Sequence, residues 1–310
     1  MPSFSSLAAF AACLVASASA ELPTTKLTHP SGSNAEVFLF GAHVKSFRTA
    51  QSPTRDVIFM SNHSYLDGVK PLMGGIPVVF PNFGSATGLP GHGFARVTNW
   101  TLTGVEEAAD AAGSTVATFT MAASDATRKM WPVDFELEYK VSLSANQLET
   151  ALVVHNTFTK EIDFHALLHN YIYVDDVRNG NTKVAGLADL EYFDKVGQVN
   201  KTQTGDLSIT AETDSIYYNA PDTLTVSSKG VNAADRTVTI KKSGVIGTEA
   251  QATDAVIWNP WVERSKTFKD FGAEEYINML AVEPGRVSQK QVLPAGQTYT
   301  LQQTITVAEN

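Results

Sequence analysis

An all-β fold, a large antiparallel β-sandwich, is what this chain predicts. Three features carry that expectation: apolar residues recur at every second position through much of the chain, helical periodicity is weak, and no regular strand-helix alternation marks a parallel sheet. The composition agrees. Of 310 residues 43% are apolar, with only 13 Pro and 21 Gly, so a sizeable core can be buried. With 32 acidic against 23 basic residues the net charge is -9, which leaves no basic footprint for nucleic acid and no polybasic patch for anionic lipid. Neither nucleic acid nor membrane is expected as a partner.

Taken in order, the first element is a leader. Leu7 to Ala20 carries no charge and ends in Ala18-Ser19-Ala20 before Glu21, the small-x-small pattern that signal peptidase accepts. Residues 1–20 therefore predict a secretion signal and a secreted protein, with 21–310 as one domain. The start of the leader lacks Lys and Arg, and an Ala/Ser-rich leader is the plainer alternative. The run is shorter than the ~20 residues a membrane-spanning helix needs. The one cysteine, Cys13, lies inside it, which excludes disulfides, thiolate metal sites and a cysteine nucleophile from the rest. Asn62-His-Ser, Asn99-Trp-Thr and Asn200-Lys-Thr are sequons that a secreted chain could use.

Strands follow. Alternation runs from Val37 to Phe47, from Val116 to Met121 and from Tyr299 to Val307, and is clearest in Phe135 to Leu143, where odd positions are apolar and even ones polar. Val57 to Met60 and Val78 to Phe80 read as short buried strands. Ala273 to Leu280 fits about two helical turns. No linker, charge run or repeat divides the chain.

Phe164-His-Ala-Leu-Leu-His-Asn-Tyr-Ile-Tyr-Val174 is the richest segment. As one strand it places Phe164, Ala166, Leu168, Ile172 and Val174 on one face and His165, Leu167, His169, Tyr171 and Tyr173 on the other. Aromatic planes cover the C–H faces of sugars while ring nitrogens and hydroxyls meet their hydroxyls, so the second face suits a carbohydrate. Taken alone, either histidine is better read as part of a partly polar packing face. Four residues of strand span ~13 Å, too far for His165 and His169 to share one zinc ion, and no HExxH run exists, so no metal is expected. Gly84 to Gly93 has the wrong spacing and surroundings for a dinucleotide loop.

Two further segments complete a set: Gly74-Gly-Ile-Pro-Val-Val-Phe-Pro-Asn-Phe-Gly84 with Leu89-Pro-Gly-His-Gly-Phe-Ala-Arg96, and Trp258-Asn-Pro-Trp261 leading to Ala281-Val-Glu-Pro-Gly285. With these motifs the sequence resembles the glucose-6-phosphate 1-epimerase branch of the aldose 1-epimerase, or galactose mutarotase-like, family from Leu27 to Val307. The resemblance implies a β-sandwich binding a hexose or hexose 6-phosphate on its concave face, a mutarotase activity and no cofactor. It also implies catalytic roles for His169 and Glu283, and substrate-binding roles for His92, Arg96 and Asp214. Mutarotation needs a base for the C1 hydroxyl and an acid for the ring oxygen, which Glu283 and His169 would supply. Without the resemblance, Glu283 reads as a surface carboxylate before a Pro-Gly turn.

Two positions depart from the family. Met73 stands where an arginine is usual and Gly91 where a glutamine is usual, so the resemblance implies a weakened preference for the 6-phosphate. Lys70 is near enough in sequence to compensate. The rival to a mutarotase is a secreted carbohydrate-binding protein without turnover. A glycoside hydrolase would have to use Glu283 and Asp214 as its two carboxylates.

Overall fold

A computed structural model describes residues 21–310, and the predicted secretion signal, Cys13 included, lies outside the described residues. Among the described residues, strands pair antiparallel throughout the two large sheets and the small one.

One large sheet has eight strands: β1 (Val78–Val79), β2 (Ile162–Leu168), β3 (Tyr171–Tyr173), β4 (Glu191–Asp194), β5 (Val199–Thr202), β6 (Thr213–Tyr217), β7 (Asp254–Asn259) and β8 (Met279–Leu293). Their order is β5-β4-β6-β7-β8-β2-β1, with β3 also paired to β8. A ten-stranded sheet faces it, centred on Glu136–Leu143, Gln147–His155, Thr298–Glu309 and Arg236–Ile246. Thr24–Thr28, Asn34–Phe38 and His43–Arg48 form a third, three-stranded sheet.

Alternation decides which side chains meet between the large sheets. Leu137, Tyr139, Val141, Leu301 and Ile305 point inward from one, and Phe164, Ala166, Leu168, Ile172 and Val282 from the other, all buried in one cluster. Fully burying such a side chain contributes ~1.5–3 kcal/mol. Phe164 packs against Phe80 and Tyr299 with ring centroids 5.2 and 5.8 Å away, so Phe164→Ala should cost ~3–5 kcal/mol. Across the same core, Asn170 and Gln303 pair reciprocally through their amides at 2.6 and 2.8 Å, and Gln303 also donates to Thr150 Oγ1 at 3.1 Å. Satisfied on both sides, this polar pair fixes the register of the two sheets where the His169 segment crosses.

The other face of the eight-stranded sheet is covered in part by the segments 57–96 and 260–278. Phe59, Phe271 and Tyr276 bury against Tyr171, Met279 and Ala281 there, with Met73, Trp258 and Phe268 packed around them. This third layer explains why Tyr171, which points away from the sandwich core, is buried as well.

Several boundaries differ from the sequence expectation. The segment Phe164 to Val174 is two strands, not one: at the break the Asn170 N–H bends back to Leu168 O at 2.9 Å, and the His169 N–H bonds Pro77 O at 3.0 Å. The inward and outward parity nevertheless continues through the bend. Ala273 to Leu280 holds a single 3₁₀ turn, Glu275–Asn278, because Met279 already belongs to β8. Val57 to Met60 makes only isolated bridges, Ile58 to Ile172 and Met60 to Gly74. Val37 to Phe47 is split by a turn into the strands Asn34–Phe38 and His43–Arg48.

Candidate active site

On the covered face, strand register lines up one row of side chains. Asp214 on β6 lies opposite Trp258 on β7, Val256 on β7 lies opposite Glu283 on β8, and Ala281 on β8 lies opposite Tyr171 on β3. Directly opposed residues in an antiparallel pair share a face, so these side chains project together. His169, two residues before Tyr171, joins them. The turn carrying His92, Gly93 and Arg96 closes one side. It needs left-handed backbone at His92 (φ 61°) and Gly93 (φ 76°), and any Cβ at position 93 would collide with Phe80 O, which only glycine avoids. For His92, with a Cβ, this conformation is uncommon, and such strain gathers at functional sites.

All five residues singled out from the sequence, His92, Arg96, His169, Asp214 and Glu283, line one cavity of about 260 Å³. Met73, Phe83, Tyr171, Lys195, Val256, Trp258, Arg264 and Phe268 complete its walls. That volume lies below the ~300–1,000 Å³ of drug-sized sites and suits a ligand of monosaccharide size.

At its base, His169 Nε2 lies 3.5 Å from Glu283 Oε2, beyond a good hydrogen bond. Glu283 Oε2 and His169 Nδ1 are buried without a protein partner. The imidazole is fixed by its neighbours instead: Tyr171 stacks on it at 4.7 Å, and His92 and Trp258 meet it edge-on at 5.7 and 6.3 Å. Burial, then the Asp214 carboxylate, pushes Glu283 well above the usual carboxylate range. Burial, then His92 and Arg96, holds His169 well below the usual imidazole range. His92 is lowered to about 3, by burial and then by Arg96 and Lys195. Without ligand the site therefore favours an uncharged His169 and an uncharged Glu283.

Arg96 donates through Nε and Nη2 to Gly91 O, at 3.1 and 2.7 Å, and among the described residues no carboxylate forms an ion pair with it. Its remaining donors are available to a ligand. The residue at 91 sits against this guanidinium: a Cβ there would lie 3.9 Å from Arg96 Nη2. Met73 does face the cavity, its Sδ accepting from Tyr171 Oη at 3.5 Å. Lys70 does not compensate for it: the side chain is exposed outside the cavity wall, with Nζ 4.0 Å from the centroid of the Tyr65 ring. The cations that line the cavity besides Arg96 are Lys195, whose Nζ pairs with Asp214 Oδ2 at 2.8 Å, and Arg264, whose guanidinium carbon lies 5.1 Å from the Phe268 ring centroid.

Lys195, Arg264, Phe83 and Phe268 are the residues that sequence reasoning missed. Lys195 lies in a turn between two short strands, and no periodicity marks such a position. A signal existed for Phe83 and Phe268, which lie inside or next to the quoted motifs.

Comparisons with known proteins identify the family and the fold. A family model described as Aldose 1-epimerase matches residues 23–306. A protein of Cenchrus ciliaris named "Putative glucose-6-phosphate 1-epimerase" is 28% identical over 272 residues, 86% of this chain and 78% of its own length. One of the same name from Escherichia coli K12 is 30% identical over 295 residues, 93% of this chain and 92% of its own. Among solved structures, one titled a "putative mutarotase" from Salmonella typhimurium superposes with a TM-score of 0.80 at 28% identity, covering 94% of this chain and 92% of that one.

Proposed function

The chain belongs to the aldose 1-epimerase family and is an isomerase, and on that premise we propose that it interconverts the α and β anomers of an aldohexose. The observation that carries this reading is the His169–Glu283 pair, 3.5 Å apart in a cavity with aromatic walls and unsatisfied by the protein around it. Glu283 as carboxylate takes the C1 hydroxyl proton while the C1–O5 bond breaks, and His169 as imidazolium gives a proton to O5. Rotation about C1–C2 presents the other face of the aldehyde. Closure then returns the proton from Glu283 to O1 and takes the O5 proton back to His169. The pair carries one proton throughout and only changes which member holds it. An uncharged Glu283 beside an uncharged His169, which burial favours, is the state that accompanies the open-chain sugar.

Asp214 and His92 line the same cavity and would meet ring hydroxyls. Arg96, with donors to spare, is the ligand for a phosphate at C6, and the names of the relatives support that substrate class. Met73 supplies no charge where the family usually has a guanidinium, so the preference for the 6-phosphate is weaker than two arginines would give. Anomer exchange followed by NMR on glucose, galactose and their 6-phosphates tests the reading. Exchange well above the spontaneous rate on at least one sugar is expected, and no acceleration of any would overturn it.

Secretion is proposed on the leader alone. Mass spectrometry of the native protein should find an N-terminus near Glu21, whereas intact Met1 or Pro2 in a cytosolic fraction would refute it. Asn62, Asn99 and Asn200 are all exposed, as glycan acceptors would have to be.

A further inference from the structure

Lys195 stands in the turn after β4, its ammonium 2.8 Å from Asp214 Oδ2 and 5.3 Å from the centroid of the Phe83 ring. The turn does not need that ammonium to keep its shape. The Lys195 N–H already donates to Asp214 O at 2.8 Å, and the Asp194 carboxylate accepts from the N–H groups of Val196 and Gly197 at 2.9 and 3.0 Å. What the ammonium adds is a positive charge on a carboxylate that shares the cavity with Glu283. The charged and titratable groups that share this cavity are His169 from the bend after β2, Tyr171 from β3, Asp214 from β6, Lys195, His92 and Arg96 from the 92–96 turn, and Arg264 from the 260–278 segment. Asp214 is the one carboxylate among them besides Glu283 itself.

We propose that Lys195 is a positioning residue that neutralises Asp214, so that Glu283 can release its proton beside it and serve as the base. The inference rests on the proposed role of Glu283. Its electrostatic support has the right sign: the Asp214 charge raises Glu283 and the Lys195 charge lowers it. Removing the lysine alone leaves two carboxylates facing one small cavity, where like charge disfavours ionisation. Removing both charges of the ion pair returns Glu283 to nearly its present field.

The experiment compares wild type, Lys195→Met, Lys195→Arg and Lys195→Met/Asp214→Asn by the pH profile of kcat/KM for anomer exchange, whose alkaline limb reports the ionisation of Glu283, the raised member of a pair that works with one proton. In Lys195→Met the alkaline limb should move up by about one pH unit, with a roughly tenfold loss below the limb, where the carboxylate–imidazolium form becomes scarcer, and a smaller loss above it. Lys195→Arg should keep the wild-type limb. The double variant should recover the limb even though its plateau is lower, since Asp214 also meets the sugar. A limb that stays put in Lys195→Met, or stays raised in the double variant, would overturn the proposal. A second readout does not depend on turnover: the carboxyl carbon of Glu283 in ¹³C-Glu-labelled protein, assigned with Glu283→Gln, should titrate higher in Lys195→Met than in wild type. If wild type catalyses no exchange the mutarotase reading falls, while this titration still decides whether Lys195 sets the state of Glu283.

Discussion

Asp254 and Glu283 stand on the paired strands β7 and β8, Asp254 opposite Gly285 and Glu283 opposite Val256, and both are buried, at 0% and 1% exposure. Asp254 accepts four hydrogen bonds: from the Asn219 N–H at 3.0 Å and Ser288 Oγ at 2.9 Å on one oxygen, and from the Val287 and Ser288 N–H groups at 2.8 Å each on the other. Glu283 Oε2 accepts none from the protein, and the imidazole of His169 lies 3.5 Å from it. Same sheet, same face and same burial give two chemically different groups. The difference teaches that a buried carboxyl ringed by donors is tied into the architecture, whereas one left short of them, like Glu283, stays open to exchange with a ligand.

The sharpest way to break the comparison is to change Glu283 alone. Glu283→Gln and His169→Ala should each lower kcat by ~100- to 10,000-fold while the folded structure is retained, because neither side chain is tied into the hydrogen-bond network. Near-normal exchange in either variant, measured by NMR above the spontaneous background, would refute the assignment. Asp254→Ala should do the reverse. It strands four donors around a buried void, so a loss of ~3 kcal/mol or more is expected in urea unfolding, and a loss below about 1 kcal/mol would show that those donors find other partners.

pH separates the two kinds of group more finely. Native Glu283 holds its proton above the ordinary carboxyl value of 4.5, where the unfolded chain releases it, so its contribution to stability declines as pH rises from 4.5 toward its raised native value. Glu283→Gln removes that decline, and its stability relative to wild type should grow as pH rises above 4.5. Histidine works in the other direction. His43 and His92, both lowered to about 3, and His169 stay neutral in the native state while the unfolded chain takes up protons below 6.5, so wild-type stability should fall as pH drops below 6.5. Each contributes up to ~1.4 kcal/mol per pH unit. A difference between wild type and Glu283→Gln that is flat from pH 4 to 8 would sink the assignment of a raised Glu283.

The smallest expected effect comes from adding charge to the cavity. Met73→Arg should raise kcat/KM for glucose 6-phosphate about tenfold and leave glucose nearly unchanged, in line with one charge-assisted contact of ~1.5–3 kcal/mol partly offset by side-chain ordering. Should the new guanidinium pair with Glu283 instead, both sugars would slow together, and the site would have turned from the unsatisfied kind of carboxyl into the satisfied kind.

Much of this was legible in the sequence, for identifiable reasons. Period-two alternation is imposed by a sheet with one dry face, which is why Glu136–Leu143 and Thr298–Glu309 could be read directly. The same signal fades where both faces are dry. From Ala166 to Ile172 every residue is buried, so the bend at His169 and Asn170 left no mark in the pattern of polarity. That His169, Glu283, His92 and Arg96 would meet was legible because they sit in motifs, and Asp214 came with the family resemblance. Lys195 was not, since its meaning depends on pairing with Asp214, far along the chain, a contact that only the β4–β6 register creates. Lys70 failed for the converse reason: closeness in sequence to Met73 does not bring its side chain to the cavity.

The reciprocal amides of Asn170 and Gln303 bear on what can change in such a protein over time. They clamp the segment adjoining His169 to both halves of the sandwich, so moving that imidazole requires rebuilding two polar side chains and the layers around them at once. Lys195, on a surface turn, answers to a single ion pair and can be exchanged one residue at a time. Charge at the wall of the cavity is therefore open to change by single substitutions, while the place of His169 is held by several residues at once.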